Sequence, residues 1–380
     1  MNPLHWLASL LRKLQPNSPD QQQSALYGLD HAILNAPIPP PSMWMNLGYW
    51  KDTTDFPTAC AALLDQVLIT ASLLDENGGP LLHPETKRFR LLDVGIGCGD
   101  QSLRILDYKR TKETGGKRGV GVGEGEGEDG PTEESQSLFD SYVGITSLSV
   151  QAGFAERRVQ ARQCAQQKDG DESENATETE TTTKPRARIF CADAANPASW
   201  SPEINASLPP HDSSQKPKGE DHQKAEAEGH EGKEEETWLL ALDTLYHFHP
   251  SRTPLLKHAH STLHASLMAF DLLLPSSWSW STRFLLRVLC LLTGTPYTNF
   301  LTQSQYTALL VEAGYEESNI EFRDISEHVF SGIAAFLGSR ERVLRAYGLG
   351  GGFGKFAGAR RVFAWWGSGV VRGVIVVARV

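Results

Sequence analysis

Residues 91–99 read Leu-Leu-Asp-Val-Gly-Ile-Gly-Cys-Gly: an apolar run, one acid, and glycines at alternate positions. Such glycines adopt positive φ and let a ligand approach the backbone closely. A helix starting just after them presents unpaired N–H groups at its first turn. The spacing over Asp93, Gly95, Gly97 and Gly99 is D-x-G-x-G-x-G. A dinucleotide turn wants Gly or Ala at the last position of G-x-G-x-x-G. Asp100 stands there, and its side chain opposes close helix–strand packing, which argues against a nicotinamide oxidoreductase. A second group, Asp243, Tyr246 and His247, puts a carboxylate, a phenol and an imidazole within five residues. Of the twelve histidines, His247 is the one placed to act as a general base on a hydroxyl or amine. His249, His258, His260 and His264 fall on or near one helical stretch with no carboxylate at ligand spacing, so no metal site is expected.

These groups need elements to carry them. RFRLLDVGIG reads as a strand entering the Gly turn, with QSLRILDYKR as the helix behind it. SYVGITSL, ARIFCADAAN, TWLLALDTLYHF and SLMAFDLLL read as further strands. SVQAGFAERRVQARQCAQQ and PSRTPLLKHAHSTLH read as helices between them. Apolar β-branched runs alternating with helices predict a parallel sheet covered on both faces. The tail adds a helix in SQYTALLVEAGY and strands in NIEFRDIS and VRGVIVVARV. Ligands of open α/β sheets bind beyond the carboxyl ends of the strands, where Asp243, Tyr246 and His247 fall.

Three stretches interrupt this alternation: 111–137, 166–186 and 205–237. They hold 22 acids and 10 bases, or −12 over 81 residues. The chain carries −10, so the remaining 299 residues carry +2. Segments so poor in apolar residues cannot offset their ordering entropy, and they are expected to be disordered insertions. The acidity belongs to them, and no basic face suggests a nucleic-acid partner. Five cysteines, an odd number without C-x-x-C, argue against a disulfide framework and fit a reducing, cytoplasmic compartment. A mitochondrial destination is the alternative, because no acid precedes Asp20, although two basic residues are few for a presequence. No run of eighteen apolar residues exists.

The turn at Asp93–Gly99 resembles motif I of the class I S-adenosylmethionine-dependent methyltransferases. Tyr142–Gln151 resembles the G-I-T-L-S-x-x-Q strand of the lipid- and sterol-type branch, with one extra residue at Ser147 or Leu148. Leu242–Phe248 resembles the A-L-D-x-x-Y-H-F element of a fungal small-molecule group, and Ser42–Trp50 the G-Y-W element that precedes motif I. The resemblance spans roughly 43–335, apart from the insertions. It implies a seven-stranded doubly wound, Rossmann-like sheet over 86–380 with the last strand antiparallel. Residues 1–85 would form an N-terminal helical lid. It implies S-adenosylmethionine as cofactor and methyl transfer to a small, lipophilic acceptor. Asp93, Gly95, Gly97 and Gly99 would shape the cofactor loop. Thr146 and Gln151 would address the ribose, Asp193 in Cys191–Ala194 the adenine, and Asp243 the same site. Tyr49, Tyr246 and His247 would serve catalysis, Tyr49 through its ring face beside a cation. A catalytically silent cofactor-binding protein is the alternative. Residues 275–300, apolar and carrying Trp280, Arg283 and Arg287, suit a lipophilic pocket wall or peripheral contact with a bilayer.

Overall fold

The computed structural model describes residue 37 and residues 40–81, 87–111, 135–168, 186–209, 234–277, 279–349 and 353–380. The expected disorder of the insertion centres, and any helix within 1–36, lie outside these residues. The chain divides into two compact units. The larger comprises Ser42–Ile333 and Phe363–Val380, and the smaller Met1–Pro41 and Ala334–Val362.

The larger unit is built on one sheet. Its strands are β1 (Lys87–Val94), β4 (Ser141–Thr146), β5 (Arg186–Cys191), β6 (Glu234–Leu242), β7 (Ala265–Leu274), β9 (Ile320–Asp324) and β10 (Arg372–Ala378). A separate ribbon pairs β2 (Lys109–Thr111) with β3 (Ser135–Ser137). The sheet order is β5-β4-β1-β6-β7-β10-β9, with β10 antiparallel to both neighbours. This is the expected doubly wound sheet with an antiparallel last strand. An eighth strand, β8 (Leu301–Thr302), pairs with the end of β7 and was not expected. Every residue of β7 is buried, as a central strand covered on both faces requires.

Helices cover the sheet: α1 (Phe56–Thr70), α2 (Asp100–Asp107), α3 (Ser149–Lys168), α4 (Pro202–Ser207), α5 (Thr253–Ser261), α6 (Trp280–Thr293) and α7 (Gln303–Ala313). Their ends carry the expected chemistry. Asp55 caps α1 by accepting from Thr58 N, with Pro57 in the first turn, and Thr302 with Gln305 forms a capping box on α7. The smaller unit holds most of α8 (Phe330–Ala346) and α9 (Gly354–Trp365), where Glu341 pairs with Arg345 at 2.8 Å and Arg360 at 3.7 Å.

The insertion boundaries are narrower than composition suggests. Residues 109–111 and 135–137 close the first insertion as an antiparallel pair. The second is flanked directly by α3 ending at Lys168 and β5 starting at Arg186. Glu234–Glu236, at the acidic end of the third, open β6 and align with Lys87–Phe89 of β1. Lys87 Nζ lies 2.5 Å from Glu236 and Arg90 3.5 Å from Glu235. Opposite charges on adjacent strands turn a low-complexity run into sheet.

Candidate active site

The chain reverses its direction across the sheet between β1 and β6, where Val94 stands beside Ala241. Such a switch point leaves a crevice at the carboxyl ends of the strands. A cleft of about 450 Å³ opens there.

Its floor is the Gly turn. Asp93, next to last in β1, is fully buried. It accepts from Gln101 Nε2 at 2.7 Å and from the Tyr142 hydroxyl at 2.7 Å, which ties the first turn of α2 and strand β4 to the loop. Burial pushes this carboxyl up to about 7, partly offset by those two hydrogen bonds. Asp93 therefore supports the loop from below and does not line the cleft. Gly95 and Gly97 do line it, with φ of 77° and 56°. A Cβ on Gly97 would lie 2.5 Å from Met45 Cε, and one on Gly95 2.4 Å from Thr244 Oγ1. Gly99 differs from the expectation: its Cβ would meet Ala155 Cβ of α3 at 2.8 Å, so it serves helix packing behind the cleft.

One wall is a strap, Met43–Trp50, held by two carboxylates. Asp100 accepts from Met43 N at 3.2 Å and takes a two-pronged ion pair from Arg158, at 2.8 and 2.9 Å. Arg158 also donates to Cys98 O at 2.9 Å, fixing the Gly turn. Asp243, at φ 60°, accepts from Leu47 N at 2.9 Å through one oxygen and from the Tyr246 hydroxyl at 2.9 Å through the other. Burial raises the Asp243 carboxyl to about 7, against the lowering effect of those bonds. Met43, Trp44, Met45 and Asn46 thus face the cleft. Tyr49 does not. It is buried with its backbone N–H on Ala59 O and its ring edge-on to His328, 5.0 Å between centroids. Its ring, expected to face a cation, is not among the cleft-lining side chains.

The remaining walls come from three strand ends. Thr146 donates to Gln151 Oε1 at 2.9 Å, and Gln151 Nε2 lies 3.8 Å from Met45 Sδ. Asp193 is exposed in the cleft, with one carboxylate oxygen accepting from Ala195 N at 2.9 Å. Beyond β6 come Thr244, Tyr246, His247, Phe248 and His249. The Tyr246 hydroxyl is committed to Asp243, and burial first and that acid second hold its pKa well above the phenol value. That bond latches the loop after β6 to Asp243. His247 is exposed at the rim, its ring centroid 4.2 Å from that of Tyr246. Partial burial of the ring, then neighbouring His249, lowers its pKa below the usual imidazole value.

Buried polar side chains fix this loop from behind. Asn299 donates to Phe248 O at 2.7 Å and to Tyr246 O at 3.3 Å. Arg252, pairing with Asp271 and the carbonyl of Asn299, anchors the far side. Tyr306 completes that group by donating to Asp271 at 3.0 Å. None of Asn299, Arg252 or Arg158 is marked by a local pattern, because their partners lie 19 to 60 residues away. Asp100 was noticed only as an obstacle to a dinucleotide turn. In the fold it is the strap's anchor.

The cleft therefore gathers Gly95, Gly97, Thr146, Gln151, Asp193, Asp243, Tyr246 and His247, and leaves Asp93, Gly99 and Tyr49 outside its lining. Its charge is distinctive. Asp100, paired with Arg158, lines it together with Asp193 and Asp243, and among the described residues no Lys or Arg does. No group of His, Cys, Asp or Glu among the described residues is arranged to hold a metal.

No family model matches this chain, and no curated protein matches it in sequence. Solved structures resemble it at low identity. The [4+2]-cyclase SpnF is 17% identical over 96% of this chain and 97% of its own, with a TM-score of 0.46. The cyclopropane synthase MmaA2 from Mycobacterium tuberculosis is 12% identical over 88% and 90%, with a TM-score of 0.49. A geranyl diphosphate methyltransferase in complex with S-adenosylmethionine is 11% identical over 88% and 97%, with a TM-score of 0.43. Likeness of this degree decides nothing about activity, which has to be argued from the chain's own residues.

Proposed function

We propose that the cleft binds S-adenosylmethionine and that the protein transfers its methyl group to a small, lipophilic acceptor. The observation that carries this reading is the lining: a bare Gly floor with the open Asp193 carboxylate beside it and no Lys or Arg among the described lining residues, Asp100 being paired with Arg158 and Asp243 held by Leu47 and Tyr246. That environment favours a cation and disfavours a pyrophosphate, which recruits Arg, Lys or an unobstructed helix start. A sulfonium is such a cation. The volume, about 450 Å³, is in the range of small-molecule sites.

Gly95 and Gly97 would leave room beside the backbone, Thr146 and Gln151 would offer hydrogen bonds to ribose hydroxyls, and Asp193 would accept from the adenine amine. The bound cofactor supplies an electrophilic methyl group. The protein's part is alignment and exclusion of water. Trp44, Tyr246 and Phe248 give the acceptor an apolar wall, and the strap closes over it. His247, at the rim, accepts the proton of a hydroxyl or amine acceptor as it is methylated. The finer resemblances rest on Tyr142–Gln151 for the lipid- and sterol-type branch and on Leu242–Phe248 for the fungal small-molecule group.

The experiment is a transfer assay with S-adenosylmethionine labelled in its methyl group, on extract fractionated by polarity. Label entering a small apolar product supports the proposal. Binding without transfer to any fraction would favour the silent cofactor-binding alternative, and neither binding nor transfer would remove both.

A further inference from the structure

Helix α6, Trp280–Thr293, turns the wrong side outward. Only Leu286 and Cys290 are buried. Trp280, Phe284, Leu285, Val288, Leu291 and Leu292 are exposed, with Trp280 at 78%, Leu291 at 83% and Leu292 at 79%. At 3.6 residues per turn these six spread over about 140° of the helix surface. Single exposed apolar residues are ordinary, but a contiguous apolar helix face is not.

The charges on this helix are of one sign. Arg283 and Arg287 flank one edge of the stripe, and Arg287 stacks its guanidinium over the Tyr297 ring at 4.9 Å. From Leu272 to Val311 the chain has no Asp or Glu, although it is acidic as a whole. Two copies of this face meeting would set Arg283 and Arg287 against their like, whereas an anionic lipid surface would attract them. No described helix is long and apolar enough to cross a membrane, so any contact of this kind lies along the surface. The helix is tied to the cleft: after its last turn, Gly294 O lies 2.9 Å from Nε2 of His249, a residue of the cleft lining.

We propose that α6 docks the protein on an anionic lipid surface, with Trp280, Phe284, Leu291 and Leu292 in the interfacial layer and Arg283 and Arg287 on the headgroups. This interaction does not depend on which cofactor the cleft takes. It gives a lipophilic acceptor a short path from the lipid to the rim.

The test is sedimentation of the full chain with vesicles of phosphatidylcholine plus phosphatidylserine, and with phosphatidylcholine alone. Binding is expected to the mixed vesicles, weakening with salt. Leu291→Glu with Leu292→Glu should reduce it about 100-fold or more. Arg283→Gln and Arg287→Gln should each reduce it roughly fivefold, and only on the mixed vesicles. All four side chains are exposed, so unchanged melting curves should accompany these losses. A blue shift of tryptophan emission on mixed vesicles, absent in Trp280→Phe, would place that ring at the interface. No sedimentation by the wild type, or equal sedimentation by the double Glu variant, overturns the proposal. So does a concentration-dependent dimer abolished by the double Glu variant, which would assign the face to self-association.

Discussion

Gly97 and Gly99 sit two residues apart, both at positive φ, yet the structure gives them opposite duties. In Gly97→Ala the new methyl would lie 2.5 Å from Met45 Cε, the flexible tip of an exposed side chain that can swing aside. The cost is then mainly conformational, about 1 kcal/mol for a side chain in the left-handed region. In Gly99→Ala the methyl would lie 2.8 Å from Ala155 Cβ and 3.1 Å from Ala155 Cα, the backbone of a packed helix. Overpacking adds about 1–3 kcal/mol to the same conformational cost. With roughly 2–4 °C per kcal/mol for a domain of this size, Gly97→Ala should melt a few degrees lower and Gly99→Ala clearly lower still. Binding should divide the other way. Gly97 lines the cleft, so its methyl stands where a ligand would lie, and affinity for S-adenosylmethionine should fall by two orders of magnitude or more. Gly99→Ala should retain near-normal affinity at temperatures where it is folded, and Ala155→Gly should restore part of its stability. Melting curves and calorimetric titration of the three variants check this. The reasoning fails if Gly97→Ala binds like wild type, or if Gly99→Ala loses affinity without losing stability.

Three further outcomes are expected. His247→Ala should lower turnover roughly 10²–10⁴-fold with a hydroxyl or amine acceptor, leave cofactor affinity unchanged, and abolish the rise of rate with pH through the imidazole range; unaltered turnover would make His247 a rim residue only. Asp243 is raised to about 7 in the fold against about 3.9 unfolded, so its contribution to stability is full below about pH 4 and is lost as pH rises through about 7. Asp243→Asn should therefore gain on wild type between those limits, with about 4 kcal/mol as a ceiling that the partly open carboxylate will not reach; a flat difference in melting temperature from pH 4 to 8 would refute that assignment. Deleting 115–131, 171–184 and 211–232 should leave affinity within a few-fold, since loop length costs about 0.6 kcal/mol per doubling, whereas a deletion extended through Glu234–Glu236 should destabilise by removing the start of β6; an unfolded product from the shorter deletions would show that an insertion centre is structural.

The central sheet was legible because its strands are unbroken apolar runs between helical stretches: Leu239–Leu242 and Leu267–Phe270 are buried on both faces, and run length with the flanking helices marks them. The boundaries failed where charge decided pairing. Glu234–Glu236 look like insertion until Lys87 and Arg90 are set beside them. Two-residue β8 and helices α8 and α9 escaped notice, the strand because it is too short for a pattern, the helices because Gly and Arg dilute their apolar period. At the site, residues announced by spacing were mostly placed correctly at the strand ends. Their roles were harder to read. Asp93 and Asp243 look like ligands in sequence, since an acid after an apolar strand has that appearance. Only the fold shows Asp93 holding Gln101 and Tyr142, and Asp243 holding Leu47 and Tyr246. The strap depends on hydrogen bonds between residues 57 and 196 positions apart, which no local pattern encodes.

The account rests on a cleft that prefers a cation to a pyrophosphate. Calorimetric titration of the purified full chain with S-adenosylmethionine, with its demethylated product and with NAD measures that preference directly. Saturable binding of the first two and none of NAD is the predicted result. Binding of NAD without binding of S-adenosylmethionine would contradict it.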